Sequence, residues 1–431
     1  MNEFIDKLSD KLIPIASKLS DNKYLLVLRD AFMLAFPITM FGSLVVVINN
    51  LPFFSDEMKG TLGTLFGNGQ NATMSILTVF VTFGIGYYLS RTYEVEAVFG
   101  GAVSLASYLI LTPFEMLTES GEVVTGVLTL DRLGAKGMFV GMVAAFLAAE
   151  IYSRLTKRGF TITMPEGVPT AVAKSFSAMI PAILTLSIFT IINAIVTGGF
   201  ATNLHDFVYD TIQAPLTGLG SSLPATLLAI FLVQILWFFG LHGQIIVNSV
   251  MDPIWNTLML ENLEAYEAGS ELPHIVTKPF IEMYTVGMGG SGSTLIVVIL
   301  MAFIMKSKQL NDVGKLALAP GIFNVNEPVI FGLPIVLNAA IFIPWIIAPI
   351  IVTAFNIIVM QLGLFPIPTG VSVPWTVPVF FNGMLATNSI MGGVLQLINM
   401  AMIGVIYYPF LRILDKQSLE QTVDMSEAES A

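Results

Sequence analysis

The chain has 431 residues, of which 55% are hydrophobic and 11% are charged, and its formal net charge is −11. A soluble domain has about 25% charged residues, so this composition excludes an ordinary soluble enzyme and a disordered protein. The negative charge argues against any nucleic-acid partner, and the lack of cysteine excludes disulfides, zinc–thiolate sites and a cysteine nucleophile. The sequence therefore predicts an all-α polytopic protein of the lipid bilayer, with no cofactor and no metal.

The first 21 residues place apolar side chains at helical spacing, with lysines on much of the other face. This pattern predicts an amphipathic helix, which lies either in the membrane interface or against the protein's own underside. No apolar core of a cleavable signal peptide is visible in this stretch.

Ten apolar runs then follow that approach or reach the roughly 20 residues needed to cross a bilayer. They are 27–50, 73–90, 96–114, 136–154, 177–198, 222–241, 244–260, 292–306, 336–361 and 388–411. Lysines and arginines cluster at alternate ends of these runs. The positive-inside rule therefore places both termini in the cytoplasm.

The runs divide into two halves. Residues 22–200 predict an N-terminal membrane domain and 222–414 a C-terminal one, with an amphipathic linker at 201–221 between them. Residues 415–431 are polar and acidic, which predicts a frayed cytoplasmic tail.

Four segments are too rich in glycine, proline and polar residues to be clean spans. They are 115–135, 273–291, 316–335 and 364–387. The last two are also too apolar for water-exposed loops, so they predict re-entrant hairpins or broken helices that line a polar cavity.

Glu327 is the one charged residue between Lys315 and Arg412. An acid within a membrane domain costs about 2.5–3.5 kcal/mol, so it is expected to pair, bind a ligand or protonate. Nearby prolines break the helices, and the carboxamides of Asn324 and Asn326 are expected to converge on the acid. This cluster predicts a site for a ligand rich in hydroxyl groups. The alternative is an acid that caps a broken helix end.

His242 stands out by the same logic, because it is the one ionisable side chain between Asp210 and Asp252. It lies at the end of an apolar run, between glycines that allow close approach of a ligand to the backbone. The alternative is a hydrogen-bonded histidine at a helix end.

A glycine-rich stretch, residues 287–294, reads Gly-Met-Gly-Gly-Ser-Gly-Ser-Thr. It lacks the surrounding strands of a dinucleotide-binding motif, and no phosphate loop occurs elsewhere, so nucleotide hydrolysis is not expected. The stretch predicts a hairpin tip where Ser291 and Ser293 line a cavity. A small-residue surface for helix packing is the alternative.

Trp375 lies between two prolines in Val-Pro-Trp-Thr-Val-Pro. A ring held in this way is a platform for the apolar face of a sugar, or else a tryptophan of the membrane interface.

Taken in order, four motifs resemble one family. They are Trp-Phe-Phe-Gly-Leu-His-Gly, Gly-Met-Gly-Gly-Ser-Gly-Ser-Thr-Leu, Asn326-Glu327-Pro328 with Val-Ile-Phe-Gly-Leu-Pro, and Pro374-Trp375. Together they resemble the membrane component IIC of the bacterial sugar phosphotransferase system (PTS), in its lactose/cellobiose/diacetylchitobiose branch.

The resemblance implies an elevator-type transporter of the bacterial cell membrane. It implies a homodimer whose protomers have ten spans and two re-entrant hairpins, with the N-terminal half as scaffold and the C-terminal half carrying one β-linked disaccharide. By the matching motifs, His242, Asn326 and Glu327 would bond the sugar and Trp375 would stack on it, while the loop with Ser291 and Ser293 would close a hairpin. A phosphocysteine on phosphorylated IIB, itself served by IIA, would phosphorylate the sugar. Since this chain has no cysteine, these partners would act in trans.

Three mechanistic readings remain open on the residues. In the first, Glu327 orients or deprotonates the sugar 6-hydroxyl for transfer from phospho-IIB, which makes it the candidate catalytic base. In the second, Glu327 carries the coupled proton of a secondary sugar transporter. In the third, the chain is a membrane sensor or scaffold that moves no solute.

Overall fold

A computed structural model describes residues 14, 18, 21–49, 54–118, 122–199, 203–333 and 335–430. The amphipathic helix predicted for residues 1–21 lies outside the described residues, apart from three isolated positions.

The first half of the chain is a bundle of helices with one short hairpin of strands. Its elements are α1 Lys23–Asn49, α2 Asp56–Asn71, α3 Leu77–Thr92, α4 Ala97–Leu111, β1 Glu115–Leu117, β2 Val123–Thr125, α5 Leu130–Leu133, α6 Met138–Lys157 and α7 Thr170–Gly199. Helix α3 lies at the centre, packed against α1, α4 and α6. Its buried side chains include Val81 and Ile85, which belong to the same apolar core as the small residues Ala31 and Ala145 of the neighbouring helices. Small residues let membrane helices approach closely, so this half closes into a continuous bundle.

The segment predicted as a linker is helical. It comprises α8 Leu204–Val208, a π-helical turn at Tyr209–Gln213, and α9 Ala214–Gly220. Helices α8 and α9 together meet the next helix, α10 Leu223–Phe238, at an angle of 66°.

The second half is a bundle of helices interrupted by breaks. After α10 its elements are α11 Gly243–Glu267, α12 Lys278–Tyr284, α13 Leu295–Phe303, α14 Lys308–Ile322, α15 Glu327–Gly332, α16 Ala339–Gln361, α17 Phe381–Thr387 and α18 Ile390–Ser430. Helix α15 packs back on α14, and α17 packs on α18, so the chain turns at residues 323–326 and again at 388–389, where Asn388 has a left-handed conformation.

Among the described residues, six helices are long and apolar enough to cross a membrane, and a seventh results if the bent pair counts as one span. The predicted number of ten spans is therefore not confirmed, although each predicted run contains a helix. The run predicted at 292–306 is wrong as a whole span, because α13 has nine residues and follows the break at 285–294. The run at 244–260 was too short, since α11 has 25 residues.

Two further differences have local causes. Helix α2 was missed because four glycines dilute its apolar pattern, although Ser55 caps it by accepting a hydrogen bond from the Met58 N–H. The tail predicted as frayed from residue 415 is helical through Ser430. Lys416 and Glu420, 3.7 Å apart one turn along, add the helical charge pairing that favours this continuation.

Candidate functional site

The breaks of the second half meet at one side chain, that of Asn324. Its carboxamide oxygen accepts from the Gly289 N–H at 2.7 Å, and its nitrogen donates to the carbonyls of Trp375 at 2.6 Å and Val377 at 2.9 Å. The residue is 4% exposed, and its φ of +63° is a left-handed conformation that asparagine tolerates. One buried amide thus joins the glycine-rich loop, the turn before α15 and the loop before α17.

Asn326 makes a second connection to the glycine-rich loop. Its side-chain nitrogen donates to the Ser291 carbonyl at 2.6 Å and to the Thr294 hydroxyl at 3.1 Å. The prediction that both carboxamides converge on Glu327 is therefore wrong. Bare loop carbonyls and N–H groups must be satisfied where helices break, and these two amides satisfy them.

Two positions of the glycine-rich loop have room for glycine alone. Gly290 and Gly292 have φ of +87° and +81°. A Cβ on Gly290 would lie 2.4 Å from Cγ of Asn326, and one on Gly292 would lie 2.4 Å from the Trp345 ring. Larger residues would clash at both positions and be strained there.

The two serines predicted to line the cavity differ in what they bond. Ser293 is fully buried and donates its hydroxyl to the Thr285 carbonyl at 2.8 Å, so it closes the loop internally. Ser291 donates its hydroxyl to the side-chain oxygen of Gln244, on the first turn of α11. The loop is thereby linked to the helix that follows His242.

His242 is the N-cap of α11. Its Nδ1 accepts from the Ile245 N–H at 3.4 Å, and its ring lies 4.4 Å from that of Trp237. A neutral imidazole whose Nδ1 accepts carries its proton on Nε2, so this exposed side chain can offer an N–H to a ligand. The alternative predicted above, a hydrogen-bonded histidine at a helix end, therefore describes Nδ1, while Nε2 remains available to a ligand.

Glu327 is the first residue of α15, and its side chain is exposed. Within the described part of the chain its carboxylate forms no hydrogen bond and no ion pair, but it interacts electrostatically with His242. A helix N-terminus stabilises such a charge by about 0.3–1 kcal/mol, which agrees with the capping alternative. That position still leaves both carboxylate oxygens open to a ligand.

The tryptophans fall into two groups. Trp375 is 48% exposed, while the Asn324 bond fixes its backbone carbonyl. Trp255 and Trp345 are fully buried, and Trp345 donates its ring N–H to the Gln234 carbonyl at 2.9 Å. Trp375 is therefore the one of these three rings whose face is accessible.

Sequence reasoning missed Gln244, which bonds Ser291, and Lys278, which lies among acidic side chains beside α11. The available signal was the repeat of polar residues at Gln244, Asn248 and Asp252, four positions apart in an apolar helix.

A free carboxylate, an imidazole N–H and an open indole face together suit a neutral ligand with many hydroxyl groups.

Comparison with known proteins identifies the family. A sequence model described as "Phosphotransferase system, EIIC" matches residues 29–349. The oligo-beta-mannoside-specific EIIC component of Bacillus subtilis (strain 168) is 59% identical over 430 residues, which are 99% of this chain and 97% of that protein. The cellobiose-specific EIIC component of Geobacillus stearothermophilus is 38% identical over an alignment of 433 positions, which covers 97% of this chain and 95% of that protein.

A solved structure agrees with these sequences. The crystal structure of ChbC, the IIC component of an N,N'-diacetylchitobiose-specific phosphotransferase system, matches with a TM-score of 0.90 and 38% identity. The match covers 96% of this chain and 99% of ChbC. These findings confirm the resemblance drawn from the four motifs. The chain belongs to the EIIC family of the phosphotransferase system and is a multi-pass sugar permease of the membrane.

Proposed function

We propose that this permease takes up a β-linked disaccharide or short oligosaccharide and presents its 6-hydroxyl for phosphorylation at the inner face of the bacterial membrane. The observation that carries the proposal is the exposed carboxylate of Glu327, which has no hydrogen bond or ion pair within the described residues and lies within electrostatic range of His242. The named substrates of the relatives, oligo-β-mannosides and cellobiose, support the β-linked class. Cellobiose, diacetylchitobiose and lactose are the disaccharides to test first, together with mannobiose.

The site residues divide into ligand contacts and supports. Glu327 accepts from sugar hydroxyls, the Nε2–H of His242 donates to one, and Trp375 stacks on the apolar face of a ring. Asn326, Ser291 and Ser293 hold the loop that closes the site, where an unpaired polar group would cost about 1–3 kcal/mol. If one of these three residues also contacts the sugar, the contact uses donor or acceptor atoms that the hydrogen bonds within the loop do not occupy.

The transfer step uses Glu327 as a base. The 6-hydroxyl oxygen forms a bond to the phosphorus carried by IIB, and its proton passes to the carboxylate. The bond between phosphorus and the IIB cysteine sulfur breaks, which leaves a thiolate on IIB. Glu327 then releases this proton to water and regains its negative charge. Because the sugar phosphate has gained about −1.5 to −2 charges, the carboxylate repels the product and favours its release inward.

We propose an elevator movement between the two halves, with the first half as dimer scaffold and both termini in the cytoplasm. The support is a contrast in packing. The long helices of the first half pack directly on one another, and all the breaks that meet at Asn324 lie in the second half. Helix α7 suits a dimer or lipid contact, because only 17% of its most apolar stretch is buried.

The proton-coupled alternative receives no support from the comparisons, since the relatives named above are phosphotransferase components. A simple test separates them. Uptake into vesicles driven by a pH gradient without phospho-IIB would be expected of a proton-coupled carrier alone.

The decisive experiment measures sugar binding and phosphotransfer separately in Glu327→Gln. We expect phosphotransfer to fall by about 10²–10⁴-fold, the usual worth of a general base. Sugar binding should fall by less, because the amide still accepts one hydrogen bond.

The matched control is Glu57→Gln, which neutralises an exposed acid of α2. It should keep both activities at the wild-type level. Wild-type binding and phosphotransfer in Glu327→Gln would remove the catalytic role of Glu327.

A further inference from the structure

A narrow cleft opens beside the helix that begins at Glu327. It has a volume of about 140 Å³ and lies between the start of α14, the end of α15 and the part of α18 that follows its apolar run. Gly332, the last residue of α15, lines the cleft. At 1.5 Å per residue, Gly332 lies about 7.5 Å along the helix axis from Glu327. The cleft is therefore next to the place where the sugar receives its phosphoryl group in the proposed transfer step.

Amide side chains from three parts of the second half line this cleft. Ser418 donates its hydroxyl to the side-chain oxygen of Gln309 at 3.2 Å, which connects α18 with α14. The side-chain oxygen of Asn338 accepts from the Ala340 N–H at 3.0 Å. Within the described part of the chain, the side-chain nitrogens of Gln309, Asn338 and Gln417 donate to no other group. The cleft thus offers N–H donors to the backbone carbonyls of a bound protein segment.

Two exposed lysines lie at the start of α14, where the helix dipole disfavours a cation. Ser307 is the N-cap of this helix, and Lys306 and Lys308 are its neighbours on either side. The positive end of the dipole attracts anions. The buried carboxylate of Asp415 supplies one, because it accepts from the Lys306 N–H at 2.9 Å and the Ser307 N–H at 2.7 Å.

The ammonium groups of these two lysines have no ion-pair partner among the described residues. Two other cations nearby differ in this respect, since Arg412 lies 3.3 Å from a carboxylate oxygen of Asp415 and Lys416 lies 3.7 Å from one of Glu420. Lys306 and Lys308 therefore do not stabilise the fold through charge pairing, and they are open to an anionic partner.

Exposed apolar side chains complete the rim of the cleft. Phe331 and Leu337, each next to a cleft residue in the chain, are 72% and 57% exposed. Both lie outside the helices that are long and apolar enough to cross a membrane. Leu337 has a φ of +59°, a left-handed conformation that is unfavourable for leucine, and its N–H donates to the Phe238 carbonyl at 3.0 Å. Strained residues concentrate at binding sites, and exposed apolar groups with a polar rim are typical of protein–protein interfaces.

We propose that this cleft and its rim are the surface on which phosphorylated IIB docks. Lys306 and Lys308 attract the partner, Leu337 is an apolar anchor, and the amides of the cleft bind the loop that carries the phosphocysteine. The phosphoryl group adds about −1.5 to −2 charges to that loop, which is complementary to the unpaired lysines. The inference rests on the proposed function, which supplies the partner, and it adds the face from which the phosphoryl group reaches the sugar.

The test measures phosphotransfer to cellobiose at increasing concentrations of phospho-IIB, with the protein purified in detergent. In the double variant Lys306→Glu, Lys308→Glu we expect the KM for phospho-IIB to rise by about ten- to hundredfold, within the range of electrostatic steering. The kcat and the affinity for cellobiose should stay within about twofold, since charges at a rim act mainly on association. High salt should raise the wild-type KM toward that of the variant. Because the dipole favours acids at this helix end, the variant should melt no lower than the wild type.

A second variant, Leu337→Gly, removes the anchor and also relieves the strained backbone, so it should fold. Its KM for phospho-IIB should rise by about tenfold or more, the usual contribution of a buried leucine, with the affinity for cellobiose unchanged. The matched control is Arg158→Glu, which reverses an exposed cation at the end of α6. The positive-inside rule places this residue on the same side of the membrane, and its reversal should leave the KM at the wild-type value.

A wild-type KM in both the lysine variant and Leu337→Gly would overturn the docking surface. An effect of the lysines that appears in vesicles of anionic lipid but not in detergent would also overturn it, because the lysines would then bind lipid headgroups. A parallel loss of cellobiose affinity would show that these residues support the sugar site and bind no partner. Wild-type protein that binds cellobiose but accepts no phosphoryl group from phospho-IIB would overturn the proposed function itself.

Discussion

The two halves of the chain place one glutamate each in contrasting surroundings. In the first half, an acid of α6 has several partners. Glu150, near the end of α6, accepts from the hydroxyls of Tyr24 at 2.6 Å and Tyr93 at 2.7 Å and from Arg154 Nε at 2.9 Å. In the second half, Glu327 lies in a helix break with its carboxylate unpaired among the described residues. The same residue type therefore stabilises one half and is available to a ligand in the other.

The largest effect is expected from adding one methyl group to a loop of the second half. Gly290→Ala and Gly292→Ala meet both a clash and a positive φ, which together cost about 2–6 kcal/mol. Gly198→Ala in α7 is the matched change in the first half, where nothing lies within 4 Å of the added carbon. It should be neutral or stabilise by up to about 1 kcal/mol. Thermal unfolding in detergent measures both, and equal melting temperatures would contradict the contrast.

A second comparison exchanges the two acids for amides. Glu150→Gln loses hydrogen bonds to a charged group and should lower the free energy of unfolding by about 1.5–3 kcal/mol, with sugar binding per folded molecule unchanged. Glu327→Gln should lower phosphotransfer. It should change the free energy of unfolding by no more than the helix-dipole contribution, about 1 kcal/mol. Unfolding scans and sugar binding on the same preparations test the pair. A stability loss in Glu327→Gln equal to that in Glu150→Gln would show that both acids are structural.

A third prediction concerns the joint at Asn324. Asn324→Asp keeps the acceptor for Gly289 but removes both donors to the loop of Trp375. We expect stability to fall by about 1–3 kcal/mol and sugar affinity with it, because the ring platform loses its support. Tryptophan fluorescence on sugar addition reports the platform. An unchanged fluorescence response would contradict the role of this joint.

A fourth prediction concerns the pH dependence of stability at the C-terminal end of α11. Partial burial raises the pKa of both Glu264 and Glu267 to about 7, from an ordinary 4.5. The folded protein then binds these protons more tightly than the unfolded chain does. The contribution of these two groups to stability is therefore fully present below pH 4.5 and is lost as the pH rises through about 7.

The double variant Glu264→Gln, Glu267→Gln removes that dependence. Its melting temperature should exceed the wild-type value at pH 8 and approach it at pH 4.5. A difference that stays constant across this range would show that the two acids do not carry the effect.

A feature could be predicted from the sequence when the residues that determine it are close together in the chain. Apolar runs and the breaks at glycine and proline are local signals, and they predicted most of the helices and the candidate residues of the site. The partners of Asn324 and Asn326 lie 32 to 53 positions away in the chain, so no local pattern could assign them. The sequence-based prediction placed both amides at Glu327. In the fold, they form hydrogen bonds with backbone groups of the loops, which would otherwise be unsatisfied.

The bond pattern of Asn324 limits how access to the sugar can change sides. Opening the site by separating its loops would leave three buried hydrogen-bonding groups without partners. In the elevator movement proposed above, the second half relocates as one body, and all three hydrogen bonds stay intact. The bond pattern of this amide therefore supports the proposed movement over an opening of the loops.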